Sequence, residues 1–116
     1  MAHPIHCEIR SSSPDATREF FAALFGWKYQ NVHGGMPGYT FVDSGDEAEI
    51  YTAVSPRQLG SDQVLFFIGV SEVPAVLAQA ERLGGRIVQP ATRAPGVTFG
   101  VFADPQGHEV GVASNG

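Results

Sequence analysis

Three polar side chains alternate along the first apolar stretch of the chain: His6, Glu8 and Arg10. If this stretch is a β-strand, alternate residues lie on one face, and the three side chains project together. An imidazole beside a carboxylate can bind a metal ion, transfer a proton or hydrogen-bond a ligand. Glu8 could hold the imidazolium or receive a cationic ligand, or it could simply pair with Arg10 or with an arginine of a partner chain.

Two similar helices are predicted to position these residues. The first begins at Ser13-Pro14, with Ser13 as candidate N-cap, and ends at Gly26. The second begins near Pro74, with Ser71 or Glu72 before it, and ends at Gly84-Gly85. Proline in the first turn and glycine at the end are typical helix boundaries. Each helix has an apolar stripe at helical spacing, which in the first contains Phe20, Phe21 and Leu24.

Each helix follows one short strand and precedes three, so the order strand, helix and three strands occurs twice. The predicted strands are Ile5–Ile9, Trp27–Val32, Tyr39–Val42, Glu49–Val54, Leu65–Ile68, Arg86–Gln89, Thr98–Ala103 and Glu109–Ala113. The order predicts an α+β fold of two tandem βαβββ modules, with curved mixed sheets around a cleft and the helices on the outer face. We expect a single domain over residues 1–116, with modules of about 1–58 and 59–116, because half of the chain is too small to close a core alone.

Composition excludes several functional classes. The net charge of −5, with a single lysine, argues against a nucleic-acid partner. No apolar run is long enough to span a bilayer, and the N-terminal residues do not resemble a signal peptide, so we expect no membrane partner. A single cysteine, Cys7, excludes an internal disulfide and favours a cytoplasmic location; its apolar strand suggests a buried, unreactive thiol.

The same alternation assigns the remaining strands to faces. Residues that lie opposite the helix-facing apolar positions are expected to line the cleft. The predicted ligand-binding residues are His6, Glu8, Tyr51, Leu65, Phe67 and Glu109. Together with Glu49, they describe a cleft with carboxylates, one imidazole and aromatic walls. Such a cleft would suit a small, planar molecule that is cationic or donates hydrogen bonds.

Several motifs resemble the vicinal oxygen chelate superfamily, which includes glyoxalase I, extradiol dioxygenases, and fosfomycin- and bleomycin-resistance proteins. The stretch Glu19–Trp27 is similar to the end of the first helix in that superfamily, and Asp104–Val110 is similar to its last hairpin. Gly35–Tyr39 and Ala94–Val97 resemble a single-domain, glyoxalase/bleomycin-resistance-like branch. The resemblance covers essentially the whole chain and implies the fold above and a homodimer. It does not fix an activity, because this fold hosts many chemistries.

The resemblance also implies where metal ligands would lie. Metal-using relatives place His or Glu on strands one, four, five and eight. Here those positions fall on His6, on Tyr51 or Thr52, on Leu65 and on Gly111. A catalytic divalent site needs about three protein ligands. We therefore predict no metal and no other cofactor, unless Glu8 or Glu109 replaces a missing ligand.

Three functions remain open from the sequence. The first is a metal-independent protein that binds a small molecule, as bleomycin-resistance proteins do. The second is a metal-dependent enzyme of glyoxalase I, epimerase or dioxygenase type. The third is a structural or regulatory domain whose cleft is filled by its own side chains.

Overall fold

A computed structural model describes residues 2–31, 38–43, 50–57 and 62–115. Within them the chain forms eight strands and two helices. Their bounds are β1 Pro4–Ser11, α1 Pro14–Phe25, β2 Tyr29–Asn31, β3 Thr40–Val42, β4 Tyr51–Pro56, β5 Gln63–Gly69, α2 Val73–Arg82, β6 Arg86–Ala94, β7 Val97–Ala103 and β8 Glu109–Asn115. Neither helix in these ranges is long and apolar enough to cross a membrane. The chain divides into an N-terminal unit, His6–Leu65, and a C-terminal unit, Met1–Ile5 with Phe66–Gly116.

The N-terminal unit contains most of β1 together with α1, β2, β3 and β4. Its strand order is β2-β3-β4-β1. The β1–β4 pair is parallel, and the β3–β4 and β2–β3 pairs are antiparallel. A parallel pair needs a crossover connection, which α1 and the two strands after it provide. This unit holds the His6 strand and its neighbours.

The C-terminal unit repeats this arrangement in the order β5-β8-β7-β6. The β5–β8 pair is parallel, and β7 pairs antiparallel with β8 and with β6. Val73 and Leu77 of α2 pack with Val112 of β8 in a buried core. A Cβ at Gly100 would lie 2.8 Å from Leu77 Cδ1, so the glycine allows α2 to approach β7 closely. The α+β fold of two βαβββ modules is therefore confirmed.

The helix boundaries follow the proline and glycine signals. Pro14 is the first residue of α1, and Gly26 ends that helix with φ of 72°. Its N–H donates to the Ala22 carbonyl at 2.8 Å. Ser13 occupies the N-cap position without a capping side-chain bond; its own N–H instead donates to Ser11 Oγ at 3.0 Å. In α2 the N-cap is Glu72, one of the two predicted residues.

The strand lengths differ from the predictions at several places. β6 runs on to Ala94 rather than stopping at Gln89, because a register shift between Gln89 and Thr92 carries the strand past Pro90. β2 begins at Tyr29, two residues later than predicted, and its predicted last residue, Val32, lies outside the described residues. β4 begins at Tyr51, two residues later than expected. Glu49 lies outside the described residues.

The first helix also differs from the prediction in its burial. None of the residues of α1, all of which are described, is buried. Phe20 is 61% exposed and Leu24 is 58% exposed. Phe21 instead stacks on Trp27, with ring centroids 5.0 Å apart. The apolar periodicity predicted the helix correctly, but it did not predict how little of its stripe is covered.

Candidate functional site

One face of the N-terminal sheet carries the polar residues of β1. In the parallel β1–β4 pair, each of these residues lies beside a β4 residue of the same face. The pairs are His6 with Tyr51, Glu8 with Ala53, and Arg10 with Ser55. Phe41 of β3 is aligned with Ala53 from the other side. Because Ala53 is small and fully buried, aromatic side chains from the β3 side can extend across β4 toward β1.

The Glu8 carboxylate is the centre of this face. Arg10 Nε donates to Glu8 Oε1 at 2.8 Å, and Ser55 Oγ donates to the same oxygen at 3.1 Å. Tyr39 Oη donates to Glu8 Oε2 at 3.0 Å, and His6 Nε2 lies 3.5 Å from that oxygen. We call these five residues, His6, Glu8, Arg10, Tyr39 and Ser55, the Glu8 cluster. Both carboxylate oxygens are thus hydrogen-bonded by protein donors.

Glu8 and Arg10 form a buried ion pair. Only 7% of Glu8 and 6% of Arg10 is exposed. Burial by itself raises the pKa of Glu8, but the hydrogen bonds and charges of His6, Arg10 and Tyr39 outweigh it and lower the pKa to about 2. Glu8 is therefore ionised at neutral pH, and Arg10 supplies its counter-charge. The sequence analysis gave the Glu8–Arg10 pair as one of several possible roles for Glu8.

Tyr39 links Glu8 to His6. Its hydroxyl lies 2.8 Å from His6 Nε2 as well as 3.0 Å from Glu8 Oε2. Burial, together with the neighbouring Glu8 charge, raises the pKa of Tyr39 far above its ordinary value. The hydroxyl therefore remains protonated and serves as a neutral hydrogen-bonding group.

Aromatic rings hold the His6 imidazole in place. Phe41 meets it edge-on, with centroids 5.6 Å apart, and also meets Tyr39 edge-on at 5.4 Å. The His6 side chain is 18% exposed, and Tyr51 beside it is 49% exposed. Of the predicted site residues on this face, His6 and Tyr51 are more exposed than Glu8.

The other predicted site residues are placed differently. Leu65 also belongs to the N-terminal unit and is 1% exposed. Phe67 and Glu109 belong to the C-terminal unit, where Phe67 is 3% exposed and Glu109 is half-buried on β8. The aligned partner of Phe67 on β8 is Gly111, and a Cβ at Gly111 would overlap the Phe67 ring.

Two of the four positions at which the resemblance places metal ligands hold residues that cannot bind a metal ion. Gly111 has no side chain, and Phe67 occupies the space where one would begin. Leu65 is an apolar, buried residue. Glu8, a candidate to replace a missing ligand, has both oxygens hydrogen-bonded. In the described ranges no group of three or more His, Cys, Asp or Glu residues could hold a metal ion.

A surface cavity of about 280 Å³ shares only Arg10 with the Glu8 cluster. Its lining includes Ser11, Thr17 and Asp62. These polar groups already have structural partners: Ser11 Oγ bonds Thr17 Oγ1 at 2.7 Å, and Asp62 Oδ2 accepts from Ser12 Oγ at 2.9 Å. We assign this cavity no ligand, since its polar groups join β1 to α1 and to the start of β5.

Cys7 lies on the opposite face of β1 from the Glu8 cluster. Burial, together with the Glu8 charge, raises the pKa of its thiol. A thiol with a raised pKa is a poor nucleophile. The raised pKa agrees with the expectation of an unreactive thiol, but Cys7 is half-buried rather than buried as expected.

Sequence reasoning did not identify Tyr39, Phe41 and Ser55 as site residues. The available signal was the alternation of Tyr39 and Phe41, which places two aromatic rings on one face of a short strand. Their relation to His6 depends on β3 and β4 lying in register with β1. Alternation within a strand does not specify that register.

Comparisons with known proteins agree with this architecture. The family model of the Glyoxalase/Bleomycin resistance protein/Dioxygenase superfamily matches residues 3–112. A protein of Mycobacterium tuberculosis and Mycobacterium bovis that carries the provisional name glyoxylase CFP32 is 28% identical over 94% of this chain. The chain spans 44% of the length of these relatives.

Solved structures show the same fold at low sequence identity. A methylmalonyl-CoA epimerase in complex with methylmalonyl-CoA and NH4+ has a TM-score of 0.63 and 19% identity, covering 99% of this chain and 95% of the epimerase. The epimerase of Mycobacterium tuberculosis has a TM-score of 0.63 and 13% identity, over 97% and 87% of the two chains. A Legionella pneumophila structure titled as an NAD-dependent benzaldehyde dehydrogenase has a TM-score of 0.66 and 14% identity, over 96% and 98%. Since the family model covers nearly the whole chain, this protein belongs to the Glyoxalase/Bleomycin resistance protein/Dioxygenase superfamily.

Proposed function

We propose that this protein binds a small organic molecule without a metal ion, through the sheet face that carries His6 and Tyr51. The observation that carries the proposal is the hydrogen bonding of the Glu8 carboxylate. Its carboxylate accepts hydrogen bonds from Arg10, Ser55 and Tyr39, so it is neither an open metal ligand nor an uncompensated charge. In this proposal the other members of the Glu8 cluster form a rigid support that orients the His6 imidazole.

The ligand in this proposal is planar and hydrogen-bonding rather than cationic. Tyr51 offers a half-exposed aromatic ring, on which a planar group can stack. His6 offers a polar group beside it, since the two residues are aligned in adjacent strands. A cationic ligand would need an unmet negative charge, and Arg10 already provides the counter-charge of Glu8.

The relatives suggest an enzymatic alternative. Members of the family carry glyoxylase and methylmalonyl-CoA epimerase names, and one of the similar structures holds methylmalonyl-CoA. An enzyme of the metal-dependent glyoxalase I, epimerase or dioxygenase type would need ligands that the residues at Leu65 and Gly111 cannot supply. A structural or regulatory domain, the third possibility, would show no ligand response at all.

A homodimer and a cytoplasmic location complete the proposal. The support for a dimer is the exposed apolar surface of α1, including Phe20 and Leu24, which a second copy could cover. The support for a cytoplasmic location is the lone Cys7, which leaves no cysteine for an intrachain disulfide.

A ligand screen by thermal shift tests the proposed function. The screen uses aromatic metabolites, aromatic antibiotics and methylmalonyl-CoA, in buffer that contains EDTA. We expect at least one compound to raise the Tm of the wild type and to lose most of this effect in His6→Ala and in Tyr51→Ala. His108→Ala is the matched control, because His108 is an exposed imidazole on the Asp104 turn and should leave the response unchanged. A response that appears only after a divalent metal is added would favour the enzymatic alternative.

A further inference from the structure

We infer that Tyr39 is a positioning residue that keeps the proton of a neutral His6 on Nε2, through a hydrogen-bond relay from Arg10 and Glu8. The importance of this relay for ligand binding rests on the proposed function. The assignment of the tautomer is independent of that function, because it follows from the arrangement of protons within the Glu8 cluster.

The argument begins with the single proton of the Tyr39 hydroxyl. Its oxygen lies 3.0 Å from Glu8 Oε2 and 2.8 Å from His6 Nε2. Both distances are those of hydrogen bonds, yet a neutral phenol has one proton to donate and can only accept in its second bond. One of the two neighbours must therefore provide the other proton.

Glu8 cannot be that neighbour. Its carboxylate is buried against Arg10 and is ionised, so its oxygens only accept. If Tyr39 donated to His6 instead, Glu8 Oε2 and the Tyr39 oxygen would face each other at 3.0 Å with no proton between them. That arrangement would place an anion against a lone pair in a buried site, which is costly. Tyr39 therefore donates to Glu8.

It follows that His6 Nε2 is the donor to the Tyr39 oxygen. A neutral imidazole carries one N–H, and here it is assigned to Nε2 by the bond which that nitrogen makes. The edge-on contact with Phe41 restrains the ring in the same orientation. In the neutral imidazole Nε2 therefore carries the proton.

His108 provides an opposite case within the same chain. Its Nδ1 lies 2.9 Å from Asp104 Oδ2. The backbone N–H groups of His108 and Gln106 hold the pKa of Asp104 below its ordinary value, so Asp104 is a carboxylate and only accepts. His108 Nδ1 must therefore be a donor. The two histidines should show opposite tautomers when both are neutral.

Nitrogen NMR of the imidazole side chains tests the inference in the wild-type protein at alkaline pH. We expect His6 Nε2 to have the chemical shift of a protonated nitrogen and Nδ1 that of an unprotonated one, with the reverse pattern for His108. His6→Ala and His108→Ala assign the signals. A His6 ring with its proton on Nδ1, or one that averages the Nδ1–H and Nε2–H tautomers, would overturn the inference. This result comes from the wild-type protein, and the two alanine variants serve only to assign its signals.

Two substitutions separate a relay from simple packing. In Tyr39→Phe the acceptor is lost, and we expect the protection of the His6 Nε2 proton from solvent exchange to fall by at least tenfold. In Glu8→Gln the side-chain amide oxygen at position 8 can accept the hydrogen bonds from Arg10 and Ser55. The amide NH2 group then faces the Tyr39 oxygen and donates to it. The Tyr39 proton must then turn toward His6, and we expect the His6 tautomer to switch to Nδ1–H. A folded Glu8→Gln protein that retained Nε2–H would contradict the relay.

Tyr29→Phe is the matched control, since the Tyr29 hydroxyl donates to the Arg18 carbonyl and not to the Glu8 cluster. We expect it to leave both His6 nitrogen shifts unchanged. If the tautomer is as expected but the screen finds no ligand that depends on His6, the proposed function fails and the relay stands. If the tautomer is wrong while such a ligand is found, the relay alone fails.

Discussion

The ring of Phe67 lies where the side chain of residue 111 would begin. The two residues are aligned in the parallel β5–β8 pair, and a Cβ at Gly111 would overlap the ring. Gly111 is also the position at which metal-using relatives are expected to place a ligand. The aromatic residue and the glycine therefore fit each other, and the Phe67 ring fills the space beside Gly111.

Gly111→Ala should destabilise the protein by about 1–3 kcal/mol, because the added methyl group forces the Phe67 ring out of a close-packed position. Urea unfolding followed by Trp27 fluorescence or circular dichroism measures the difference in the free energy of unfolding.

The control for this substitution is the same change in a Phe67→Ala background. Removal of the ring leaves room for the methyl group, so Gly111→Ala should there cost less than about 0.5 kcal/mol or restore some stability. Equal costs in both backgrounds would show that Phe67 does not occupy this position.

Glu8→Gln should lower the free energy of unfolding by about 3 kcal/mol, because Arg10 keeps its charge in a buried site without a carboxylate partner. The matched control is Glu19→Gln on the exposed surface of α1, which should change stability by no more than about 0.5 kcal/mol. A small effect at Glu8 would mean that solvent reaches the Arg10–Glu8 pair.

Glu8 should also make stability depend on pH in the acid range. Its pKa is about 2 in the folded protein and 4.5 for an ordinary glutamate, so the folded state favours the ionised form. The contribution is complete above about pH 4.5 and is lost as the pH falls toward about 2, for a total of about 3 kcal/mol. Urea titrations across this range should show the loss in the wild type, and Glu8→Gln should lack this part of the pH dependence.

Association into a homodimer remains a prediction, and α1 offers a way to test it. If a second copy covers Phe20 and Leu24, light scattering should give twice the chain mass, and Phe20→Ser with Leu24→Ser should shift the equilibrium toward monomers. Leu83→Ser is the control, because Leu83 is 69% exposed at the end of α2. A wild-type monomer at high micromolar concentration would refute the prediction.

The sequence predicted the features that depend on local geometry. Proline and glycine marked the helix ends, since the Gly26 φ of 72° is one that other residues rarely adopt. Period-two alternation placed His6, Glu8 and Arg10 on one face, because side chains alternate in every strand. These rules need no knowledge of which strands are neighbours.

The features that the sequence did not predict depend on distant pairing or on surroundings. Tyr39 reaches Glu8 from 31 positions away, and this contact exists only because β3, β4 and β1 are consecutive in the sheet. The exposure of Phe20 on α1 was unexpected because helical periodicity shows that a stripe is apolar but not what covers it. The predicted roles of Leu65, Phe67 and Glu109 in ligand binding remain predictions.

The central claim, metal-independent binding at the His6 face, is tested most directly by calorimetric titration of the best compound from the screen into EDTA-treated protein. We predict one binding event per chain with the same Kd in EDTA and in added Zn²⁺ or Ni²⁺, and a Kd at least tenfold weaker for His6→Ala. Binding that requires the metal, or a Kd that His6→Ala leaves unchanged, would contradict the account.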